Sequence, residues 1–209
     1  MSPVLPTQTT NWEHASWQEG CAAVKQFTDR LGAPVDEGIS ETVVVLNLLG
    51  FRTYQSCEGH LDHGCPYPWV DVIDAERFSR YKHMWIHVCE LEKQAKEAKA
   101  AEIYEQYLSA DIHLRTLAVR WEAEDPVFKR LVALLDAFYV DQSEQSPVRL
   151  LVKKREPGMY RMAPGFSVSV RDIPDALKAT YFARGQAEMQ ALTGFLKRQW
   201  QARRSIEIA

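Results

Sequence analysis

The spacing of hydrophobic residues predicts several helices interrupted by short strands. Apolar residues recur every three or four positions in the longer segments, which is the period of a helix with one buried face. Shorter segments alternate apolar and polar residues and indicate strands. The predicted helices cover about residues 11–31, 36–49, 74–124, 125–138 and 172–203, and the predicted strands cover 51–56, 69–73, 148–154 and 159–163, with 166–170 as a further candidate.

Capping residues indicate where several of these helices begin and end. Asp36 and Asp74 are predicted N-caps, because a short carboxylate accepts hydrogen bonds from the free N–H groups of a first turn. Gly50 is the expected C-terminal stop of the second helix. Asp125-Pro126 indicates a helix start, since the N–H that proline lacks has no helical partner in a first turn.

The order of these elements predicts one α+β domain over residues 1–209, with a small mixed or antiparallel sheet flanked by helices. Residues 75–124 are predicted to form a long helical arm inserted within that domain, because their apolar stripe is thin. We expect the arm to fold back near residues 109–111. It is interpreted either as a device for homodimerisation or as a solvated helix that connects two parts of the fold.

Composition is typical of a globular protein. The chain has 209 residues, of which 46% are hydrophobic and 25% charged, enough to bury a large core. Its longest apolar run, residues 42–51, is far shorter than the roughly 20 residues that span a bilayer. Residues 1–10 lack the basic start and apolar segment of a secretory signal. We therefore expect a cytoplasmic protein without membrane contact, whose four cysteines are thiols or metal ligands.

Charge is distributed unevenly along the chain. Residues 149–209 carry 12 Lys and Arg against 5 Asp and Glu, whereas residues 1–148 carry 13 against 23. The basic C-terminal part is a candidate surface for nucleic acid or phosphate. In the alternative interpretation, the two regions pack together and neutralise each other.

The densest chemistry lies in the segment Ser56–Cys65, Ser-Cys-Glu-Gly-His-Leu-Asp-His-Gly-Cys, which directly follows the first predicted strand. Thiols and imidazoles bind zinc-type metals and act as nucleophiles or bases near neutral pH. The first hypothesis is therefore a zinc site. Its predicted ligands are Cys57, His60, His63 and Cys65, with His83 and His87 on the following helix as further candidates.

A second hypothesis needs no metal. A glycine-containing loop at the end of a strand can turn its N–H groups toward an anion, here a nucleotide-like or other anionic small molecule. Cys57 is then the nucleophile or a ligand and His60 the general base or a ligand. Glu58 or Asp62 orients the imidazole ring. The predicted ligand-binding residues are Ser56, Gly59, Tyr67 and Trp69.

The alternative class is a non-enzymatic interaction or structural protein. In that case the loop of residues 57–65 is a structural clip, with or without zinc, and the arm supplies dimerisation. In a further interpretation Cys57 is an inert core residue, because cysteine is among the residues most often buried. The classes differ in what substitution of the loop does: a clip variant loses stability, whereas a pocket variant keeps its fold and loses ligand-induced stabilisation.

The residues that flank the loop resemble a signature found in small bacterial and phage proteins of unknown activity. The segments concerned are Leu46-Asn47, Gly50-Phe51, Thr53, Ser56–His60 and the strand Trp69–Val72. More remotely, residues 36–73 are similar to the wybutosine-synthesising methyltransferase-like family. Members of that family modify a tRNA base, so the resemblance implies S-adenosylmethionine as a cofactor. Gln55 and His60 stand where that family has serine and arginine.

Overall fold

A computed structural model describes residues 10–29, 31–62, 65–140, 148–165 and 174–208 and confirms the predicted α+β class. The candidate strand at 166–170 lies outside the described residues. None of the described helices carries the long apolar stretch that crossing a membrane requires. The helices are α1 (Trp17–Val24), α2 (Glu37–Leu48), α3 (Ala75–Ala98), α4 (Ala101–Glu124), α5 (Pro126–Tyr139) and α6 (Asp175–Ile208), and the strands are β1 (Arg52–Cys57), β2 (Trp69–Ile73), β3 (Leu150–Glu156) and β4 (Met159–Pro164).

The strands form one antiparallel sheet in the order β1-β2-β4-β3, with β1 at an edge. One face of the sheet packs against α2, α5 and α6, and its residues Val70, Val72 and Met162 are completely buried there. Because side chains alternate between faces, the opposite face carries Asp71. Its carboxylate accepts two hydrogen bonds of 2.7 Å from the Arg161 guanidinium. The edge position of β1 leaves one side of that strand open.

The turn from α2 into β1 is fixed by a glycine and a buried asparagine. The Phe51 N–H donates to the Leu46 carbonyl and the Gly50 N–H to the Asn47 carbonyl, both at 2.9 Å, which is the Schellman pattern of a helix end. Gly50 has a φ of +80°, as the predicted stop requires. Asn47 is buried, and its side-chain Nδ2 donates to Thr53 Oγ1 at 2.7 Å. These bonds hold the start of β1 against the end of α2.

Helix α1 is shorter than the predicted 11–31. It begins at a capping box, in which the Glu19 N–H donates to Ser16 Oγ at 3.3 Å and the Ser16 N–H donates to Glu19 Oε2 at 2.7 Å. After Val24 the chain leaves the helix, and Thr28 pairs with Pro34 in an isolated β-bridge. This irregular segment brings residues 27–29 and 33–35 alongside β1.

Helices α3 and α4 pack against each other as a hairpin over the predicted arm. The expected fold-back near residues 109–111 is wrong, because those residues lie inside α4. The chain turns at Lys99, whose φ is +51°, and at Ala100. Neither residue is a glycine or proline, so the sequence carries no turn signal there. Dimerisation through this hairpin stays a prediction.

Asn47→Ala is expected to lower the free energy of unfolding by about 2–3 kcal/mol, because it leaves buried hydrogen-bonding groups unpaired. The lost partners are Thr53 Oγ1 and the Val43 carbonyl, which accepts from Asn47 Nδ2 at 2.8 Å. Urea unfolding followed by circular dichroism measures the change. Gln199→Ala, an exposed substitution on α6, is the control and should cost less than about 0.5 kcal/mol. Equal costs for the two variants would contradict the role given to Asn47.

Candidate functional site

The loop that follows β1 is tied to the start of α2 by two carboxylates. Glu58 Oε2 accepts the N–H of Gly38, in the first turn of α2, at 2.7 Å. In return, Asp36 Oδ2 accepts the N–H of Glu58 at 3.0 Å. A capping box makes a similar exchange within four residues. Here the partners are 20 and 22 positions apart, so the exchange fixes the loop relative to the helix.

Asp36 occupies the N-cap position of α2, but its side chain makes no capping hydrogen bond to that helix. The predicted capping role is therefore wrong for this carboxylate, whereas Asp74 caps α3 as predicted, accepting the Arg77 N–H at 3.1 Å. The Glu58 carboxylate, which lies outside the helix, accepts a hydrogen bond from an N–H group in the first turn of α2. This arrangement makes the Asp36 carboxylate part of the loop's surroundings.

Three metal-binding types of side chain converge beside this exchange. A carboxylate oxygen of Asp36, Sγ of Cys57 and a ring nitrogen of His60 all lie within 4.8 Å of one another. His60 Nε2 is 3.7 Å from Asp36 Oδ2, within ion-pair distance if the ring is protonated. All three residues are partly buried. Cys57 ends β1 and Asp36 precedes α2, so the cluster depends on the packing of that strand against that helix.

Gly59 allows the sharp turn between Cys57 and His60. Its φ is +90°, and a Cβ added there would lie 2.9 Å from the carbonyl carbon of Tyr67. The Gly59 N–H donates to Cys57 Sγ at 3.3 Å, and the His60 N–H donates to the Cys65 carbonyl at 2.9 Å. The turn predicted at Gly59 therefore places its N–H on the sulfur of Cys57.

Helix α6 holds the loop from the other side. Gln186 Nε2 donates to the Glu58 carbonyl at 3.5 Å. One residue earlier, Gly185 is buried, and a Cβ there would lie 3.1 Å from the Pro68 ring. A larger residue at position 185 would push the helix away from the loop, since this distance is shorter than ordinary van der Waals contact. The loop is thus held between the start of α2 and the middle of α6.

The Cys57 thiol lies in negatively charged surroundings. Burial, which has the largest effect, raises the pKa of this thiol, and the charges of Asp36, Cys65 and Glu58 raise it further, against an opposing hydrogen bond from Gly59. Without a cation the thiol is therefore protonated at neutral pH, and a protonated thiol is a weak nucleophile. A bound metal ion would reverse the balance, because a coordinating thiol loses its proton.

A cleft of about 420 Å³ opens beside the three donors. Residues 27–29 and 33–35 form one wall and the consecutive residues 53–57 of β1 form the other. Side chains of a strand alternate between the two faces of a sheet, so a lining of consecutive residues shows that the cleft follows the open edge of β1. The cleft therefore gives a ligand access to the end of the strand that carries Cys57.

The other predicted ligand-binding residues divide between this cleft and its surroundings. Ser56 and Trp69 line the cleft, and the Arg161 guanidinium stacks 3.5 Å from the Trp69 ring centre. Tyr67 does not belong to the lining. Burial raises the pKa of its hydroxyl, and a hydrogen bond with the Cys65 side chain raises it further. Tyr67 therefore contacts the loop through Cys65 without lining this cleft.

The structure brings two of the predicted metal ligands, Cys57 and His60, into one cluster and adds Asp36. Cys65 lines the same cleft without being a member of the cluster. His63 lies outside the described residues. The last two candidates, His83 and His87, are exposed on α3 and belong to no cluster of three donors within the described part of the chain.

The carboxylate expected to orient His60 was that of Glu58 or Asp62. The structure places Asp36 beside the imidazole, whereas the Glu58 carboxylate accepts a hydrogen bond from the Gly38 N–H. Asp36 precedes the loop by more than twenty residues, so no short motif connects the two. The one sequence signal at Asp36 is its N-cap position, which indicates a different role.

Comparison with known proteins finds no match: no family profile, curated protein or solved structure is detectably similar to this chain. The resemblance to bacterial and phage proteins, and to the wybutosine-synthesising methyltransferase-like family, stays a prediction. The expectation that S-adenosylmethionine is a cofactor comes from the same resemblance, so it also stays a prediction. The geometry of the cluster and the cleft is therefore the basis on which a function can be inferred.

Gly59→Ala and Gly32→Ala form a matched pair, because both glycines have a positive φ, +90° and +83°, and only Gly59 is crowded. Gly32→Ala is expected to cost about 1 kcal/mol from the strained backbone conformation alone. Gly59→Ala should cost about 3 kcal/mol, since it adds a clash with the Tyr67 main chain. Chemical denaturation of both variants measures the difference. Equal costs would show that the loop is not held against Tyr67 in solution.

Proposed function

We propose that this chain is a metal-dependent ligand-binding protein. Asp36, Cys57 and His60 hold one zinc-type ion, and a nucleotide-like or other anionic small molecule binds in the adjoining cleft through the ion's open coordination position. The observation that carries this proposal is the convergence of three donor atoms within 4.8 Å at the edge of a 420 Å³ cleft.

The geometry favours a metal centre over a nucleophilic thiol. In a thiol–imidazole–carboxylate relay, the imidazole separates the other two groups, because each bonds to a different ring nitrogen. Here the sulfur of Cys57, an oxygen of Asp36 and a single nitrogen of His60 are mutual neighbours. One ion can contact all three at once. The raised pKa of the Cys57 thiol agrees with this choice, since an activated nucleophile needs a lowered one.

The donor set indicates the class of metal. One sulfur, one nitrogen and one oxygen donor suit zinc and similar borderline metals, whereas magnesium and calcium prefer oxygen donors alone. The negative charge around Cys57 would also stabilise a divalent cation. When bound, such an ion would supply a Lewis acid that polarises an anionic ligand or a water molecule.

Three protein ligands favour a functional centre over a structural clip. Structural zinc sites are usually closed by four protein ligands, whereas functional sites keep a position for water or substrate. The cluster has three members among the described residues, and it borders the cleft. Asp36 and Glu58 already tie the loop to α2 without any metal, so a clip is not needed to hold it.

Purified, untagged protein is expected to bind about one zinc ion per chain, measured by elemental analysis after dialysis. Cys57→Ser and His60→Ala should weaken zinc binding at least about tenfold, because each removes a ligand. Asp36→Asn should also weaken zinc binding. It should keep most of its stability, since the amide oxygen can still accept the Glu58 N–H. Cys89→Ser and His83→Ala are matched controls outside the cluster and should retain the metal.

Two results would contradict this proposal. Folded wild-type protein that binds no zinc on titration would exclude the centre, and variants of Cys57 and His60 that keep full occupancy would place the ion elsewhere. Cobalt-loaded protein tests the open position separately. Its visible spectrum should change when phosphate is added, whereas an unchanged spectrum would indicate a closed structural clip.

A further inference from the structure

A second cleft lies at the C-terminal end of α2, the opposite end from Asp36. Its volume is about 300 Å³, and three arginines contribute to its lining. They come from two helices, α5 and α6, that meet beside the Gly50 turn. The residues of interest in the lining are Arg130, Arg203, Arg204, Trp200 and Glu13.

Two of these arginines are positioned by the main chain and by aromatic rings. Arg130 Nη2 donates to the Leu49 carbonyl at 3.1 Å, and its guanidinium stacks 4.5 Å from the Phe51 ring centre. Arg204 Nη1 donates to the Ala15 carbonyl at 2.9 Å. These contacts orient the guanidinium groups without neutralising their charge.

Neighbouring acids balance the charge of this pair only in part: the pKa of Glu19 is lowered mainly by hydrogen bonds from Ser16, with a smaller effect from the charge of Arg204. Among the side chains that the structure describes, no carboxylate lies within ion-pair distance of Arg130 or Arg204. A guanidinium has five N–H donors, and the main-chain carbonyls use one donor of each. Glu13 is exposed, and the lining contains this one carboxylate and three arginines. Oriented guanidinium groups with free donors are suited to the oxygens of phosphate.

The size and surroundings of the cleft favour a small ligand over a nucleic acid. Nucleic-acid backbones bind along extended basic tracks. The neighbouring Lys197 is paired with Glu41 at 2.8 Å, so part of the basic surface of α6 is neutralised. A concave space of about 300 Å³ is at the lower end of the range for small-molecule pockets, so it accommodates a small phosphorylated molecule.

We propose that this arginine cleft binds the phosphate group of a small phosphorylated molecule through Arg130, Arg203 and Arg204. The site is separate from the three-donor cluster at the start of α2. Two of its arginines, Arg203 and Arg204, belong to the basic region of residues 149–209. Arg203 is exposed on α6, so it can approach a ligand without rearrangement of the core.

The test is calorimetric titration of the full-length protein with inorganic pyrophosphate, in a buffer with EDTA so that no metal takes part. Saturable binding to one site is expected, and added salt should weaken it. Arg130→Gln and Arg203→Gln should each weaken it at least about tenfold, because each removes charge-assisted hydrogen bonds. Arg198→Gln, an exposed arginine of α6 outside the lining, is the control and should change the affinity less than twofold.

Three outcomes would overturn the proposal: no saturable binding, an equal loss in Arg198→Gln, or tighter binding of a single-stranded RNA oligonucleotide than of pyrophosphate. If Arg130→Gln fails to fold, the exposed Arg203→Gln still decides the question. Because the titration excludes metal, its failure would leave the proposed metal centre standing.

Discussion

The exchange of hydrogen bonds between Asp36 and Glu58 is the constraint on which the candidate site depends. The first turn of any helix has N–H groups without helical partners. In α2, the Glu58 carboxylate, from a distant part of the chain, accepts the hydrogen bond of one of these groups. Gly38 makes this approach possible, because a Cβ there would lie 2.6 Å from Glu58 Oε2. With that acceptor supplied from outside, Asp36 binds the loop instead of its own helix. The same two bonds therefore cap a helix and bring a carboxylate to Cys57 and His60.

Strand β1 is held at both ends by the same helix. At its start, Asn47 and the Gly50 turn connect it to the end of α2, and at its finish Glu58 connects it to the beginning. Residues 46–60 therefore include two kinds of residue. Asn47, Gly50 and Thr53 position the strand, and the residues after it form the donor cluster. Both kinds are needed, because a metal site requires donors on elements that do not move relative to one another.

Local signals predicted most of the fold, and non-local contacts account for what they missed. Strand β2 matches the predicted residues 69–73, because Pro68 and the Asp74 cap bound an alternating run. The turn between α3 and α4 gave no such signal, since Lys99, which adopts the positive φ there, is neither glycine nor asparagine. Asp36 shows the limit most clearly. Spacing within a loop identifies Cys57 and His60, but a ligand that tertiary packing brings from another element leaves no pattern in the sequence.

The most direct test of the proposed metal centre is a crystal structure of the zinc-loaded protein, with diffraction data collected on both sides of the zinc absorption edge. The anomalous difference map is expected to show one strong peak about 2.0–2.3 Å from Asp36, Cys57 and His60 donor atoms, with the fourth ligand a water or anion in the cleft. A peak at His83 and His87, or an intact loop with Asp36 turned back onto the first turn of α2 and no peak beside it, would contradict the account.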